Sequence, residues 1–323
     1  MASIVPVFVP HAGCPCRCVF CNQRTIAGQT ECMTPERAEE IFRQALAVLP
    51  AGSCPQAAFY GGSFTAIPVE QQEALLVVTD RYREAGLLSS VRLSTRPDAI
   101  SPECLTRLKA HGVTVIELGA QSMEDEVLRQ AKRGHTAADT LRASQLIQNA
   151  GISLILQTMA GLPGDTRETV RRTAEHVAAL HPDGVRIYPV AVLPDTELYD
   201  LWQAGSYQPL EVETAAEWCA DMLEVFEREQ IPVIRVGLNP TEELGSTVAA
   251  GAYHPAMGEL AYSVLWYRKL KRQLEAGGDS TLFVPARELS RAIGHKRRNL
   301  LRLRQEFPER NITIKPIQHR REP

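Results

Sequence analysis

Short apolar runs of strand length alternate along this chain with stretches of amphipathic helical spacing, and no other feature limits its fold so tightly. The strand-length runs fall at 4–9, 56–60, 91–94, 113–118, 153–159 and 184–188. Helical patterns separate them at about 35–49, 69–85, 101–109, 124–132, 137–149 and 167–180. Thr34, Pro35 and Glu36 carry the start signal of the first helix: a capping hydroxyl, a proline at the first position and an acid in the first turn. Repeated strand–helix alternation builds parallel β/α units, and six are too few to close the usual eight-stranded barrel. A helix at 213–230 and a strand at 232–236 read as a small lobe able to close the barrel mouth. Beyond it, 284–305 reads as helical with a break at Gly294, followed by a short strand at 311–314.

In sheets of this kind, ligands gather where strands run out into loops at their carboxyl ends. The chain places its unusual residues there each time. Cys14-Pro15-Cys16-Arg17-Cys18-Val19-Phe20-Cys21 follows the first strand, four thiols in eight residues and more than packing asks for. Cys14, Cys18 and Cys21 form C-x3-C-x2-C, which can wrap three corners of a [4Fe–4S] cube and leave the fourth iron open. Electron-transfer clusters close every corner with a protein ligand; an open iron has room for a cofactor, as the open position on catalytic zinc does. Zinc would ask for a second ligand pair at a distance, and no second C-x2-C follows. A disulfide framework is unnecessary in a chain able to bury a core of this size. Cys16 leaves two candidates for the first ligand. Cys32, Cys54, Cys104 and Cys219 have no ligand spacing and read as packing residues, with Cys54 on the far face.

The other strand ends carry Gly61-Gly62-Ser63-Phe64-Thr65, Ser94-Thr95-Arg96, Gly119-Ala120-Gln121-Ser122 and Gln157-Thr158-Met159-Ala160-Gly161-Leu162-Pro163-Gly164. Gly61 and Gly62 let the backbone pass close to a ligand. Gln121 can donate and accept. Arg133 can hold a carboxylate through a charge-assisted bond, or sit as a helix-terminal cation against the macrodipole.

Together these motifs resemble the radical S-adenosylmethionine superfamily. Val9-Pro10-His11, Asn22-Gln23, Tyr60 to Thr65, Ser94-Thr95-Arg96-Pro97-Asp98, Glu117 to Ser122 and Arg133-Gly134-His135-Thr136 are similar to one branch, the radical domain of the elongator catalytic subunit and its bacterial relatives. Arg186-Ile187-Tyr188-Pro189, Leu198 to Trp202 and His254 to Glu259 extend the likeness over about residues 4 to 265. Coproporphyrinogen oxidases of the oxygen-independent type share the barrel motifs more loosely. The resemblance implies an open, partial (β/α)6 TIM-like barrel over 1–190, a family C-terminal region closing it over 191–265, and a small, basic, mostly helical α/β extension over 266–323.

It also implies a cluster on Cys14, Cys18 and Cys21, with Cys14 first because only it completes the family spacing. S-Adenosylmethionine would be bound on the free iron and cleaved to a 5′-deoxyadenosyl radical by one electron from a flavodoxin- or ferredoxin-type donor. Phe20 would lie near the adenine, and Gly61, Gly62 and Ser63 at the methionine, with Ser63 where the family usually has Glu. Ser94 would meet the ribose, Gln121 and Arg133 the polar edge and carboxylate. Gln157 and Met159 would flank the adenosyl part above Gly161 and Gly164, Ala191 would contact adenine, and Tyr253 with Glu259 would face the substrate. The elongator subunit carries a later acetyltransferase domain, whereas about 60 residues follow the shared region here, so that domain is not expected.

Net charge −3 hides an asymmetry. Residues 287–323 hold eleven Lys and Arg against four Glu, a balance of +7 that leaves −10 for the rest. A basic segment suits a polyanion, RNA or a phosphorylated substrate, or is a solvated helix face. No run approaches 18 apolar residues and no charged leader opens the chain, so a cytoplasmic protein without a membrane span is expected. The leading expectation is radical modification of a phosphate-bearing substrate, RNA or tRNA first and a small nucleotide or specialised metabolite second. A non-catalytic iron–sulfur RNA-binding protein is the reading from another class.

Overall fold

The computed structural model describes residues 3–9, 14, 18–22, 33–50, 52–240 and 242–317. The roles expected of Cys16 and Cys32, and the motif positions Pro10, His11 and Gln23, lie outside the described residues. One parallel sheet dominates the fold. Its strands are β1 (Ile4–Phe8), β2 (Gln56–Tyr60), β3 (Ser90–Thr95), β4 (Val113–Gln121), β5 (Ser153–Ala160), β6 (Gly184–Pro189) and, after a two-residue β7 (Ala191–Val192), β8 (Val233–Val236). Their spatial order is β1-β2-β3-β4-β5-β6-β8, seven strands among the described residues. The connections are α1 (Pro35–Val48), α2 (Val69–Glu84), α3 (Pro102–Ala110), the pair α4 (Asp125–Gln130) and α5 (Ala137–Asn149), α6 (Arg167–Ala178), the short α7 (Glu197–Gln203) and α8 (Val212–Arg228).

The seventh strand departs from the expected six. Residues 232–236 do not complete a separate lobe; β8 pairs with β6 in parallel, Val185 opposite Val233. The cause lies in α8, whose buried face of Cys219, Ala220, Met222, Leu223 and Phe226 packs on the main core. A helix of 17 residues returns the chain across the sheet as one more βαβ crossover. The sheet is therefore an open, curled part-barrel with edges at β1 and β8.

Local signals set the helix starts. Thr34 Oγ1 accepts from Arg37 N at 3.3 Å and Ser101 Oγ from Cys104 N at 3.2 Å. Thr136 and Thr166 each close a reciprocal box with the residue three on. Alternate strand residues, among them Phe59, Leu93, Ile116, Leu118, Leu154, Leu156 and Ile187, join Phe42, Leu75, Leu108 and Ile147 of the helices in one core. Cys104 and Cys219 are buried in it, whereas Cys54 is exposed at the amino end of β2, a surface thiol and not a packing residue.

Beyond β8 come α9 (Glu242–Thr247), β9 (Ala250–Gly251), paired antiparallel with β7, and α10 (Met257–Glu275). Then follow β10 (Thr281–Val284), α11 (Leu289–Ile293), α12 (Arg298–Glu306) and β11 (Thr313–Pro316). Sequence analysis missed β10, which pairs in parallel with β11, Thr281 opposite Thr313. The expected break at Gly294 is present at φ +79°, and Lys296 and Arg297 continue it in left-handed conformations, φ 49° and 65°. Helix α10 runs through position 266 and serves both cores. Ala261 and Leu265 belong to the barrel core, Tyr267, Leu270 and Leu274 to a second core with Leu282, Val284, Leu300, Leu303, Ile312 and Ile314.

Asn299 pins this second unit together. Its Nδ2 donates to the Ser263 carbonyl at 2.8 Å, with Ser263 Oγ at 3.0 Å and the Ala292 carbonyl at 3.2 Å. Asn299→Ala should cost about 1–3 kcal/mol, because those buried acceptors lose their donor. Urea unfolding measures it, and an unchanged midpoint would remove Asn299 from the account.

Candidate functional site

Strand alternation turns Tyr60 of β2, Arg92 of β3, Glu117 of β4, Gln157 of β5 and Arg186 of β6 into the barrel lumen. They meet at one carboxylate. Glu117 Oε1 accepts from Tyr60 Oη at 2.9 Å, Arg92 Nη1 at 3.2 Å and Arg186 Nη2 at 3.2 Å. Its Oε2 accepts from Gln157 Nε2 at 3.0 Å and lies 2.9 Å from Arg186 Nε. Only 1% of the Glu117 side chain is exposed. Burial, with the Glu117 charge beside it, pushes the Tyr60 hydroxyl up to about 12, so it stays protonated and donating.

Two residues further along β4 the lumen face carries Gly119, and the strand runs on to Gln121. Arg133 crosses this step. Its Nη2 donates to the Gly119 carbonyl at 2.7 Å and its Nη1 approaches Cys18 Sγ at 3.1 Å. A Cβ on Gly119 would come within 3.1 Å of Gln121 Nε2 and 3.3 Å of Arg133 Nη2, so a larger residue there would push both side chains back by a few tenths of an ångström. Arg96 Nη2 in turn donates to the Arg133 carbonyl at 2.9 Å. Gln121 holds a left-handed φ of 65°, and its Oε1 is buried without a hydrogen bond, as is Arg133 Nε.

The cysteine segment is stapled beside this pair by Val19 N to the Ala131 carbonyl at 3.2 Å and Leu198 N to the Val19 carbonyl at 2.8 Å. Cys21 N closes a turn on the Cys18 carbonyl at 3.0 Å. Burial, then the neighbouring Cys18, pushes the Cys14 thiol up, while Arg96 and Arg133 pull it down. Among the described residues, no three His, Cys, Asp or Glu side chains already stand close enough to hold a metal ion. The donor set nonetheless fits a thiolate-held cluster. Two guanidiniums face the thiols, and ligation displaces the thiol protons as it forms. The orphaned Gln121 Oε1 and Arg133 Nε fit a polar cofactor next to it.

The remaining expected residues divide. Phe20 and Met159 share an apolar cluster with Val19, Leu162, Val190 and Val192. Ala191 sits beside it in β7. Gly61, at φ +100°, packs against the Val9 backbone at the end of β1. Ser63 is 2% exposed, and its Oγ is 3.0 Å from Thr95 Oγ1 and accepts from Arg96 N at 3.2 Å, tying the β2 and β3 loops together. Gly62 lies beside it, and Ser94 falls on the Arg92 side of β3. Gln157 is engaged with Glu117. Glu259 opens α10, over half exposed, and pairs with Arg291 at 2.7 Å. Tyr253 stands against Gly245; neither it nor Glu259 hydrogen-bonds the Cys18 or Glu117 groups. Sequence reasoning quoted Glu117 and Arg186 as family motif but gave them no role, and passed over Arg92. The available signal was a charge in mid-strand among apolar neighbours, Val-Arg-Leu, Ile-Glu-Leu and Val-Arg-Ile.

His135 is 6% exposed, its Nε2 3.2 Å from the Ala120 carbonyl. Burial, reinforced by Arg133, pushes its pKa down to about 4. A depressed folded pKa makes stability full above the unfolded value near 6.5 and lost as pH falls towards 4. His135→Gln should flatten unfolding free energy against pH across that window, by up to about 3 kcal/mol. Parallel curves for both proteins would contradict the assignment.

Comparison with known proteins bears on the same residues. The Radical SAM superfamily model matches residues 8–177 and the Radical_SAM C-terminal domain model residues 182–266. Over 182 residues the chain is 29% identical to the tRNA uridine(34) acetyltransferase of Methanocaldococcus infernus, covering 55% of this chain and 33% of that protein. Over 221 residues it is 28% identical to Elongator complex protein 3 of Homo sapiens, covering 62% and 40%. The chain thus spans a third to two fifths of these relatives' length. The solved Methanocaldococcus infernus Elp3 with an N-terminal deletion superposes with TM-score 0.63 at 22% identity, over 85% of this chain and 63% of that one. Coproporphyrinogen III oxidase of Escherichia coli shares the fold with TM-score 0.53 at 18% identity, over 71% and 52%. With the matched family model running from the end of β1 through the cysteine segment into α6, the chain belongs to the radical S-adenosylmethionine superfamily, enzymes that use a [4Fe–4S] cluster and S-adenosylmethionine.

Proposed function

We propose that this radical enzyme modifies a nucleotide of RNA, tRNA first, by removing a hydrogen atom from a phosphate-bearing substrate. The observation behind the RNA reading is a basic turn without acidic partners. Within 287–317 four cations are engaged inside the fold: Arg291 with Glu259, Arg302 with Glu306, and Arg304 and Arg310 with backbone carbonyls. His295, Lys296 and Arg297 are exposed and make no ion pair among the described residues. A cationic turn held in a fixed shape suits backbone phosphates. Curated relatives named for tRNA uridine(34) support the same substrate class.

In this reading Cys14, Cys18 and Cys21 hold the cluster, and Gln121 and Arg133 hold the polar ends of the cofactor. Phe20 and Met159 cover its apolar face. When bound, the two groups supply one-electron cleavage of a sulfonium and with it an acceptor for a hydrogen atom. The apolar wall of Val19, Leu162, Val190 and Val192 keeps water from that step. A flavodoxin- or ferredoxin-type partner delivers the electron, and a reducing cytoplasm suits a chain that keeps Cys104 and Cys219 as buried thiols. No described helix is long and apolar enough to cross a membrane. A second reading, a small anionic nucleotide or metabolite, is favoured by the half-buried pair Arg92 and Arg186.

Anaerobic reconstitution with dithionite and S-adenosylmethionine should yield 5′-deoxyadenosine. Cys18→Ala should lose iron and activity while Cys16→Ala keeps both; intact cofactor after many hours would count against the enzyme reading. Lys296→Glu with Arg297→Glu should weaken tRNA binding about tenfold near 0.1 M salt and lower the log–log salt slope by about 1 to 2. Equal affinity and slope would remove the turn from RNA binding.

A further inference from the structure

The layer around Glu117 carries more positive charge than a self-contained ion-pair core requires. Arg92 and Arg186 have side chains 14% and 13% exposed, and they share one carboxylate that is 1% exposed. Tyr60 and Gln157 occupy that carboxylate as well, so its oxygens have little left to offer the guanidiniums. Arg92 Nε is buried with no acceptor. A third cation, Arg235 of β8, lies within electrostatic reach of Tyr188 together with Arg186 and Glu117, and its Nη1 donates to Asn239 Oδ1 at 3.0 Å.

Barrel interiors are ordinarily filled by layers of branched aliphatic side chains. Here five consecutive strands, β2 to β6, place polar groups at one level instead. A purely structural polar layer would be charge-balanced, because an uncompensated buried cation costs stability. One more anion balances the Arg92 and Arg186 pair against Glu117. Its position is also suited to chemistry: Glu117 lies two strand residues, about 7 Å, below Gly119, where Arg133 contacts Cys18.

We propose that Arg92 and Arg186, with Arg235 beside them, form an oxyanion seat in the barrel lumen for the carboxylate or phosphate of the substrate. Glu117 holds the two guanidiniums in place and sets the charge of the seat. The proposal rests on the reading of the chain as a radical enzyme acting on an anionic substrate, and names where in the barrel its charged group is held.

The test uses the reconstituted holoenzyme with saturating S-adenosylmethionine, so that Arg133 is already engaged. Thermal unfolding is followed at constant ionic strength as chloride is replaced by inorganic phosphate or by acetate. The melting temperature should rise saturably with at least one of them. A phosphate preference identifies a phosphate-bearing group, an acetate preference a carboxylate. Arg92→Met and Arg186→Met should abolish the response. Glu117→Gln removes the competing carboxylate and should lower the half-saturating concentration fivefold or more, a gain that a merely structural ion pair cannot produce. Should the methionine variants fail to fold, Arg186→Lys should weaken binding at least threefold. The proposal is overturned if wild type shows no saturable response, if wild type and the arginine variants respond alike, or if Glu117→Gln brings no gain. Formation of 5′-deoxyadenosine in the same preparations separates the two readings: its loss with the anion response intact sinks the enzyme reading and leaves the seat.

Discussion

A carboxylate with 1% exposure cannot remain charged inside a protein without compensation, and the compensation for Glu117 is drawn from four other strands. Each partner reaches it only if its strand keeps both register and pleat. A slip of one residue would turn Tyr60, Arg92, Gln157 or Arg186 out towards the helices and put an apolar neighbour in its place. The apolar faces of the same strands impose the opposite demand, since Phe59, Leu93, Ile116, Leu156 and Ile187 must meet the helices. The two demands agree on one register across β2 to β6.

That register carries the upper site. With Glu117 fixed, Gly119 and Gln121 follow along β4, and the missing Gly119 side chain lets Arg133 settle onto the strand. Arg133 then links the cysteine segment to the barrel through Cys18 and the Gly119 carbonyl. Ser63, Thr95 and Arg96 brace the neighbouring loops through hydrogen bonds of their own, and Arg96 reaches the Arg133 carbonyl. The mouth is a connected polar frame with an apolar wall at Phe20 and Met159. A cofactor with a charged end and an aromatic end matches both.

The C-terminal unit is built on different terms. It has its own small core, yet it is continuous with the barrel because α10 enters both. Among the described residues Arg291, Arg302, Arg304 and Arg310 serve as internal pairs or caps of backbone carbonyls, which leaves the turn at His295, Lys296 and Arg297 as an exposed run of unpaired cations. Counting charges along a chain overstates a surface whenever acids from other elements, such as Glu259, fold against it.

Much of the fold was legible. Strand–helix alternation, caps at Thr34 and Ser101, and glycines at strand ends are local, and local pattern survives folding because hydrogen bonding and side-chain direction repeat over a few residues. The cysteine spacing and the strand-end motifs carried the resemblance to the superfamily whose model the chain matches. What tertiary structure alone decided was pairing at long range: that β8 joins β6, that Ser63 serves Thr95 and Arg96, that Gln157 turns to Glu117, and that Glu259 answers Arg291. These partners lie 32 to 40 residues apart in the last three cases. Composition and spacing determine which groups a chain possesses. Which charge meets which is settled only when the strands assemble and water is removed from between them.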